Sequence, residues 1–405
     1  MPRAGWVKPV SDRRLSDLVS VGVLTRVFPA RVVDEVIAQA GRTEQRHRSL
    51  PARLMAYFSI GMALFSEGSY EDVLGLMTDG LAWSSGGQDE VVVPGKSAIF
   101  QARARLGFEP MRDLFARVAV PLATEATVGA WLAGRRLMAL DGTCLEIADS
   151  VANAQFFGRP GSARGDRAAF PQTRIAALAE CGTHAIVDAR VGPYTTSEVA
   201  LCRELVTGLA PGMLVLADRG LYGFQLWSQA AATGADLLWR VKASVRPRHL
   251  SDLPDGSWLA EIRPTSGTHR AQRPPLKVRV IDYDLDPSSA GAGAEPYRLL
   301  TTLLDHALAP ATDLAEAYSQ RWEIESAFDE LKTHQRGPRM ILRSKSPDLV
   351  QQEVWGHLCC HYAIRVLMHE AALHAGHDPD RVSFTAALRI ARRSTAQGDF
   401  SPSGP

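Results

Sequence analysis

Cysteine, long apolar runs and net charge are all in short supply in this chain, and each shortage closes off a class of protein. The 405 residues include five cysteines (Cys144, Cys181, Cys202, Cys359 and Cys360), an odd number with no C-x-x-C pair. That count argues against a disulfide framework, so the thiols read as reduced, in a reducing compartment. The longest apolar-looking run, residues 50–65, is shorter than the roughly 20 residues a bilayer span needs and carries Arg53, Ser59 and Gly61. The opening Met1-Pro-Arg-Ala-Gly-Trp lacks the apolar core of a signal peptide, which makes the cytoplasm the expected location. No G-x-x-x-x-G-K-[S/T] phosphate loop and no G-x-S-x-G elbow occur, so ATP-driven and serine-hydrolase chemistry have no basis here. The pair His357 and His361, with Cys359 and Cys360 between them, sits in an apolar helical stretch without an H-E-x-x-H glutamate, and reads as core rather than as a zinc site.

Net charge is +1, which excludes a uniformly basic protein. Its distribution is more telling. Residues 1–60 hold ten Lys/Arg against five Asp/Glu, residues 240–280 hold nine against three, and residues 331–346 add Lys332, Arg336, Arg339, Arg343 and Lys345 without one acid. A chain neutral overall but basic in three blocks gathers its acids elsewhere, as expected where an acidic metal centre lies beside a polyanion track.

Hydrophobic periodicity divides the chain. Residues 11–125 read as helical, with Leu54, Tyr57, Phe58, Met62 and Phe65, then Met111, Leu114, Phe115, Val118 and Leu122, at helical spacing. Breaks fall at residues 84–87 and 91–95. Between them and Gly107 lies a short basic helix, with Ser97 as its expected N-cap and Lys96, Gln101, Arg103 and Arg105 suited to a DNA groove or backbone. From residue 135 the period becomes that of strands. Residues 136–141, 173–178, 184–191, 212–218 and 235–241 read as strands, with helices at 197–209 and 224–233. This is a mixed α/β sheet flanked by helices. Residues 243–303 form a β-rich insertion, and long helices follow at 311–334 and 348–375.

Two apolar strands each deliver a carboxylate, Asp141 in Ala-Leu-Asp-Gly-Thr and Asp218 in Leu-Ala-Asp-Arg-Gly. The C-terminal edge of such a sheet is where α/β proteins build their sites, and an acid there is a rigid oxygen ligand. Gly142 and Gly220 follow closely, leaving room for a ligand or phosphate at the backbone. A third acid lies in residues 318–332, where Tyr318, Arg321, Glu325, Phe328 and Lys332 are three or four apart and line one helix face. That face offers one carboxylate to a metal and Tyr, Arg and Lys to phosphate oxygens. Glu323 points to another face, while Asp329, one turn beyond Glu325, stays open as an alternative.

The pattern Tyr-x2-Arg-x3-Glu-x6-Lys, preceded by Leu-Asp-Gly-Thr and Ala-Asp-Arg-Gly-Leu-Tyr-Gly, resembles the YREK signature and the two aspartate motifs of DDE transposases of the insertion-element-four family. The likeness extends over most of the chain: residues 96–122 resemble the family's helical N-terminal domain and residues 346–356 the helix that follows its catalytic glutamate. The resemblance implies a ribonuclease H-like fold with an all-helical N-terminal domain, arranged as 1–130, 131–345 and a helical region 346–405. It implies that Asp141, Asp218 and Glu325 are the catalytic, metal-binding triad for two Mg2+ or Mn2+ ions, and that Tyr318, Arg321 and Lys332 bind element-end DNA. Lys96, Arg103 and Arg105 join them as DNA-binding candidates. The implied partners are double-stranded DNA, as terminal inverted repeats and target, and a second copy of the chain on that DNA; the implied setting is the nucleoid. The insertion is expected to lie across the active site and hold a hairpin DNA intermediate, with Trp258, ahead of Trp239, stacking on an extruded base. Family members continue with a further basic stretch, so the end at Ser401-Pro-Ser-Gly-Pro405 suggests a shortened copy. Two rivals remain at this point, a ribonuclease H-like nuclease that does not transfer strands and a non-catalytic end-binding protein.

Overall fold

The computed structural model describes residues 22–46, 48–84, 93–161, 168–242, 244–264, 274–283, 297–337 and 340–397. Residues 11–21 of the expected helical stretch, the breaks within 85–92, parts of the insertion, Arg339 and Ser401–Pro405 lie outside them. The chain forms two compact units, each discontinuous in sequence. One comprises residues 1–119, 331–368 and 383–405, the other 120–330 and 369–382. The three consecutive blocks expected from the sequence follow chain order, whereas the compact units group the C-terminal helices with the N-terminal ones.

The first unit opens with six helices: α1 (Gly22–Val27), α2 (Ala30–Gln39), α3 (Ala52–Leu64), α4 (Tyr70–Ser84), α5 (Lys96–Leu106) and α6 (Glu109–Val118). Helix α3 is buried on every side except at Arg53, which explains an apolar run with no polar face. Ser97 does not cap α5. Gly95 holds the N-cap position, and the Lys96 N–H donates to Glu71 Oε1 at 2.7 Å, so an acid of α4, and no serine hydroxyl, serves a donor at the start of this helix.

The second unit carries β1 (Trp131–Leu132), β2 (Arg135–Glu146), α7 (Val151–Phe157), β3 (Gln172–Glu180), β4 (Ile186–Pro193), α8 (Glu198–Leu205), β5 (Met213–Ala217), α9 (Phe224–Ala231) and β6 (Asp236–Val241). It continues through β7 (Arg248–Asp252), β8 (Trp258–Ile262), β9 (Leu276–Tyr283), β10 (Tyr297–Thr301), α10 (Ala311–Ser319) and α11 (Trp322–Asp329). The strands make one sheet in the order β4-β3-β2-β5-β6-β10-β9-β8-β7, with β1 beside β2. β2, β5 and β6 run parallel and the remaining pairs antiparallel, the mixed sheet of a ribonuclease H-like fold. Side chains alternate between its faces. Met138 and Leu140 of β2, Val215 and Ala217 of β5, and Leu237 and Trp239 of β6 share a core with Leu201, Leu205, Leu226 and Trp227 of α8 and α9. Trp239 meets Trp227 edge to face at 5.3 Å, so it belongs to this core and not to a DNA surface.

The insertion is not a separate lobe over the site. β10 pairs with β6, β9 with β10 and β8 with β9, so its described strands prolong the sheet sideways. One cation of its basic block is internal: Arg279 is fully buried, paired with Asp255 and donating to Ser257 Oγ at 2.7 Å and to the Ala309 carbonyl at 2.6 Å. The chain closes with α12 (Pro347–Ala375) and α13 (Phe384–Gln397). Within the first unit, a Cβ at Gly356 of α12 would collide with the Ser59 carbonyl of α3, so glycine is what allows these two backbones to touch.

Candidate active site

β2 does not end at Asp141; it runs on to Glu146 beside β3. What ends is its parallel partner. The β2–β5 register closes at Leu140 opposite Ala217, so Asp141, still paired to β3 within β2, and Asp218, the first residue past β5, are the next residues on the two neighbouring chains and stand side by side where the sheet opens. Leu140 faces the core under α8 and α9, and Asp141, one residue later, takes the opposite face, against which α11 packs.

The helix of the third acid is two helices. α10 stops at Ser319, α11 starts at Trp322, and from Glu330 to Gln335 the winding widens to a π-type turn. Arg321 therefore stands at the junction, as the N-cap of α11. Its Nη1 lies 2.9 Å from Glu325 Oε1 and 3.5 Å from Asp141 Oδ2, so one guanidinium joins the acid of the helix to the acid of the strand. Its plane also rests on the Trp322 ring, 4.7 Å from the centroid, while Nε has no hydrogen-bond partner among the described residues. Tyr318 is buried; its hydroxyl lies 3.5 Å from Asp218 Oδ1 and 3.4 Å from the Ala217 carbonyl. Burial, then the neighbouring Asp218, pushes the phenol up, which keeps it a proton donor toward that carboxylate.

Two charged members of the site were not anticipated. Arg240 of β6 places Nη1 3.8 Å from Asp218 Oδ1 and lays its guanidinium on the Tyr297 ring at 3.6 Å. Glu198 opens α8, where Ser197 accepts from the Ala200 N–H as N-cap, and its carboxylate fills the space beside Gly142 that the sequence reserved for a ligand: a Cβ there would collide with it. Gly220 has the open space expected of it. Burial pushes Asp141 up to about 7; the Gly142 N–H and Arg321 oppose this, while Glu198 and Glu325 add to it. Four carboxylates thus face two guanidiniums, and the surplus of two negative charges suits a divalent ion held by hard oxygen donors.

The remaining expected residues are dispersed. Asp329 is exposed at the end of α11. Lys332 is half-buried on the π-type turn, where the 3.6-residue spacing that aligned it with Glu325 no longer holds. Trp258 sits on β8, four strand spacings from β5, about 19 Å along the sheet. There it stacks on His249 at 5.3 Å and donates from Nε1 to Asp282 at 3.3 Å, so the expectation of a tryptophan over the active site is corrected for this residue. Trp322, 58% exposed beside Arg321, is an exposed aromatic side chain at the site, one the helix-face spacing that picked out Tyr318, Arg321 and Glu325 does not include.

In the first unit Lys96 and Arg105 are exposed on α5, and Arg105 shares a cleft of about 450 Å3 with Arg46, Arg48, Ser49 and Gln101. Arg103 is corrected. It is fully buried, donating to Tyr70 Oη at 2.6 Å, Gln352 Oε1 at 2.9 Å and Ser344 Oγ at 3.2 Å, which leaves it no face for DNA. The 331–346 block is partly internal as well: Arg336 is buried, and Arg343 donates to the Gly68 carbonyl at 2.6 Å.

Residues 18–116 match the family model described as insertion element 4 transposase N-terminal, and residues 132–363 the transposase DDE domain. The chain is 30% identical over 372 residues to the transposase InsG of insertion sequence element IS4 from Escherichia coli K12, covering 91% of this chain and 81% of that protein. It is 24% identical over 245 residues to the putative transposase InsZ of the same organism, covering 60% and 78%. Among solved structures it is similar to the piggyBac transposase in a synaptic complex with hairpin DNA, with a TM-score of 0.50 and 13% identity over 94% of this chain and 80% of that one, a likeness of fold. With two neighbouring aspartates, one of them joined through arginine to a helical glutamate, on a chain matched over most of its length, this protein is a member of the DDE transposases of the insertion-element-4 type.

Proposed function

We propose that the chain binds the terminal inverted repeats of an insertion element as a homodimer on double-stranded DNA, and cleaves and transfers strands with Asp141, Asp218 and Glu325 as one centre. The observation that carries this is the convergence of the three acids: Asp141 and Asp218 follow the last β2–β5 pair on adjacent chains, and Arg321 ties Glu325 to Asp141. Proteins of this family use divalent metal ions, and two Mg2+ or Mn2+ ions are the reading for this chain. Bound there, they supply Lewis acidity at the phosphorus–oxygen bonds that form and break.

The side chains do the positioning. Tyr318 and Arg240 hold Asp218, and Arg321 holds Asp141 and Glu325. The Arg321 guanidinium stands ready to exchange a carboxylate for a phosphate oxygen when DNA enters, a trade its planar fork suits. Water attacks phosphorus and the 3′ oxygen leaves as a hydroxyl; that hydroxyl then attacks the phosphorus of the opposite strand, giving up its proton as the flanking DNA's 3′ oxygen is expelled and protonated, and the new phosphodiester seals the element end as a hairpin. Trp322 is the better-placed aromatic surface for a base displaced by the bend, and unstacking that base costs a few kcal/mol that stacking partly offsets. Lys332, Lys96 and Arg105 contribute sequence-independent phosphate contacts.

The test uses the purified full chain with end-labelled linear DNA bearing the element's terminus, Mg2+ and a denaturing gel under single-turnover conditions. A hairpin species preceding double-strand breaks is the expected product. Breaks with no hairpin at any time mean sequential hydrolysis of both strands, and binding without cleavage means a non-catalytic end-binding protein.

A further inference from the structure

The turn between β3 and β4 holds a second group of metal-ligating side chains that strand cleavage does not use. His184, in that turn at φ 53°, is buried among three carboxylates. Its Nε2 lies 3.1 Å from Asp380 Oδ1 and 3.7 Å from Glu323 Oε2, and its Nδ1 lies 3.5 Å from Glu330 Oε1. His184, Glu323 and Asp380 each present one ligand atom, and all three atoms fall within 4.8 Å of one another. In tetrahedral coordination with bonds of about 2.0–2.1 Å, ligand atoms stand about 3.3–3.4 Å apart, and the two measured separations bracket that value. The carboxylates are not loosely hung: Glu323 accepts the Gly182 N–H, and a side chain at Gly182 would collide with the Val128 carbonyl, so this turn is fixed against its surroundings.

We propose that His184, Glu323 and Asp380 form a divalent-cation site of the zinc type, separate from the triad. One imidazole nitrogen with two carboxylates is a zinc set rather than a magnesium set, because imidazole suits borderline ions and Mg2+ prefers oxygens alone. Glu330 completes the arrangement from outside. Facing Nδ1, it fixes the tautomer that leaves the Nε2 lone pair for the ion, as carboxylates behind metal-bound histidines do. Asp380 is the exposed member, so the ion enters from its side and completes its shell with water. The site fastens α11 to the β3–β4 turn and to the Pro379–Arg381 turn, two residues upstream of Glu325 on α11. Its role is structural.

The test needs neither DNA nor cleavage. The full chain, freed of metal by chelator dialysis, is titrated with Zn2+ against a chromogenic zinc indicator, and separately with Co2+, whose visible absorption is intense only in four-coordinate sites. With millimolar Mg2+ present to occupy the triad, wild type should take up one zinc equivalent and show the cobalt band. Asp380→Asn should bind at least tenfold more weakly, His184→Asn should lose the band, and Asp218→Asn should keep both. Equal zinc affinity in wild type and Asp380→Asn would overturn the site and leave His184 as a hydrogen-bonding partner of the carboxylates. Zinc binding lost in Asp218→Asn alone would assign the ion to the triad and overturn it equally. Should His184→Asn not fold, Asp380→Asn, altered at the exposed edge, decides.

Discussion

Arg103 and Arg321 are both nearly solvent-free arginines in polar surroundings, one in each compact unit, and they do opposite things. Arg103 is surrounded by neutral acceptors, Tyr70, Gln352, Ser344 and the Leu349 carbonyl, and lies over the Tyr70 ring at 5.3 Å. Arg321 is held between two carboxylates with its Nε unused. A guanidinium saturated by neutral groups has nothing to exchange and acts as a packing element. One pinned by carboxylates occupies a place where another cation can enter, while the arginine itself is free to turn to a phosphate. Burial alone does not separate the two; the charge of the partners does.

The largest difference is expected in catalysis. Asp218→Asn and Glu325→Gln should each lower Mg2+-dependent end cleavage by three orders of magnitude or more in single-turnover assays, with end binding by gel shift within about threefold, since about 4 kcal/mol of transition-state stabilisation corresponds to that loss. Arg103→Ala should leave residual cleavage per folded molecule intact but lower unfolding stability by about 3 kcal/mol, because it removes the donor to the buried Gln352 Oε1 and empties the space the side chain fills. Urea denaturation measures it. Arg321→Ala should cost less in urea than Arg103→Ala, because the Glu325 carboxylate it leaves is half exposed and can turn to water, yet reduce cleavage at least tenfold. If both arginine variants lose stability equally, the contrast fails.

A pH dependence sharpens the first unit's side of the comparison. Burial is the main reason His357 is held down at about 4; Glu353 pulls the other way, and Arg336 and Arg343 add to the depression. The folded state therefore keeps this imidazole neutral. Stability is unaffected above the unfolded value of about 6.5 and is lost as pH falls toward 4, by up to about 3 kcal/mol. His357→Gln should flatten the wild-type fall between those limits in denaturation series. The smallest effect belongs to the exposed cations: Lys96→Ala and Arg105→Ala should each reduce the log–log salt slope of DNA binding by about 0.9.

Much of this was legible in the sequence. Strand-type runs and turn residues located β2, β3, β4, β5 and β6 to within a few residues, and the two aspartates were found because apolar runs led into them. Three things were not legible. Spacing along a helix assumes one uninterrupted winding, so the break at Arg321 and the π-type turn at Glu330 could not be seen. Strand pairing across long intervals is not written in local pattern, so the insertion was expected over the site instead of at the sheet's edge. Positive charge says nothing of depth, and so Arg103, Arg279 and Arg336 were counted with surface cations. Glu198 did leave a trace: a Ser-Glu pair at a helix start, opposite a glycine that follows an aspartate, is a place where a carboxylate approaches a backbone.

The central claim is that Asp141, Asp218 and Glu325 act as one divalent-metal centre. Mn2+ binding to the full-length protein, followed by the loss of its free-ion electron paramagnetic resonance signal and reversed by excess Mg2+, tests it most directly. We predict that Asp141→Asn, Asp218→Asn and Glu325→Gln each abolish the same Mg2+-competed binding step. Any one of the three retaining wild-type affinity at that step would contradict the account.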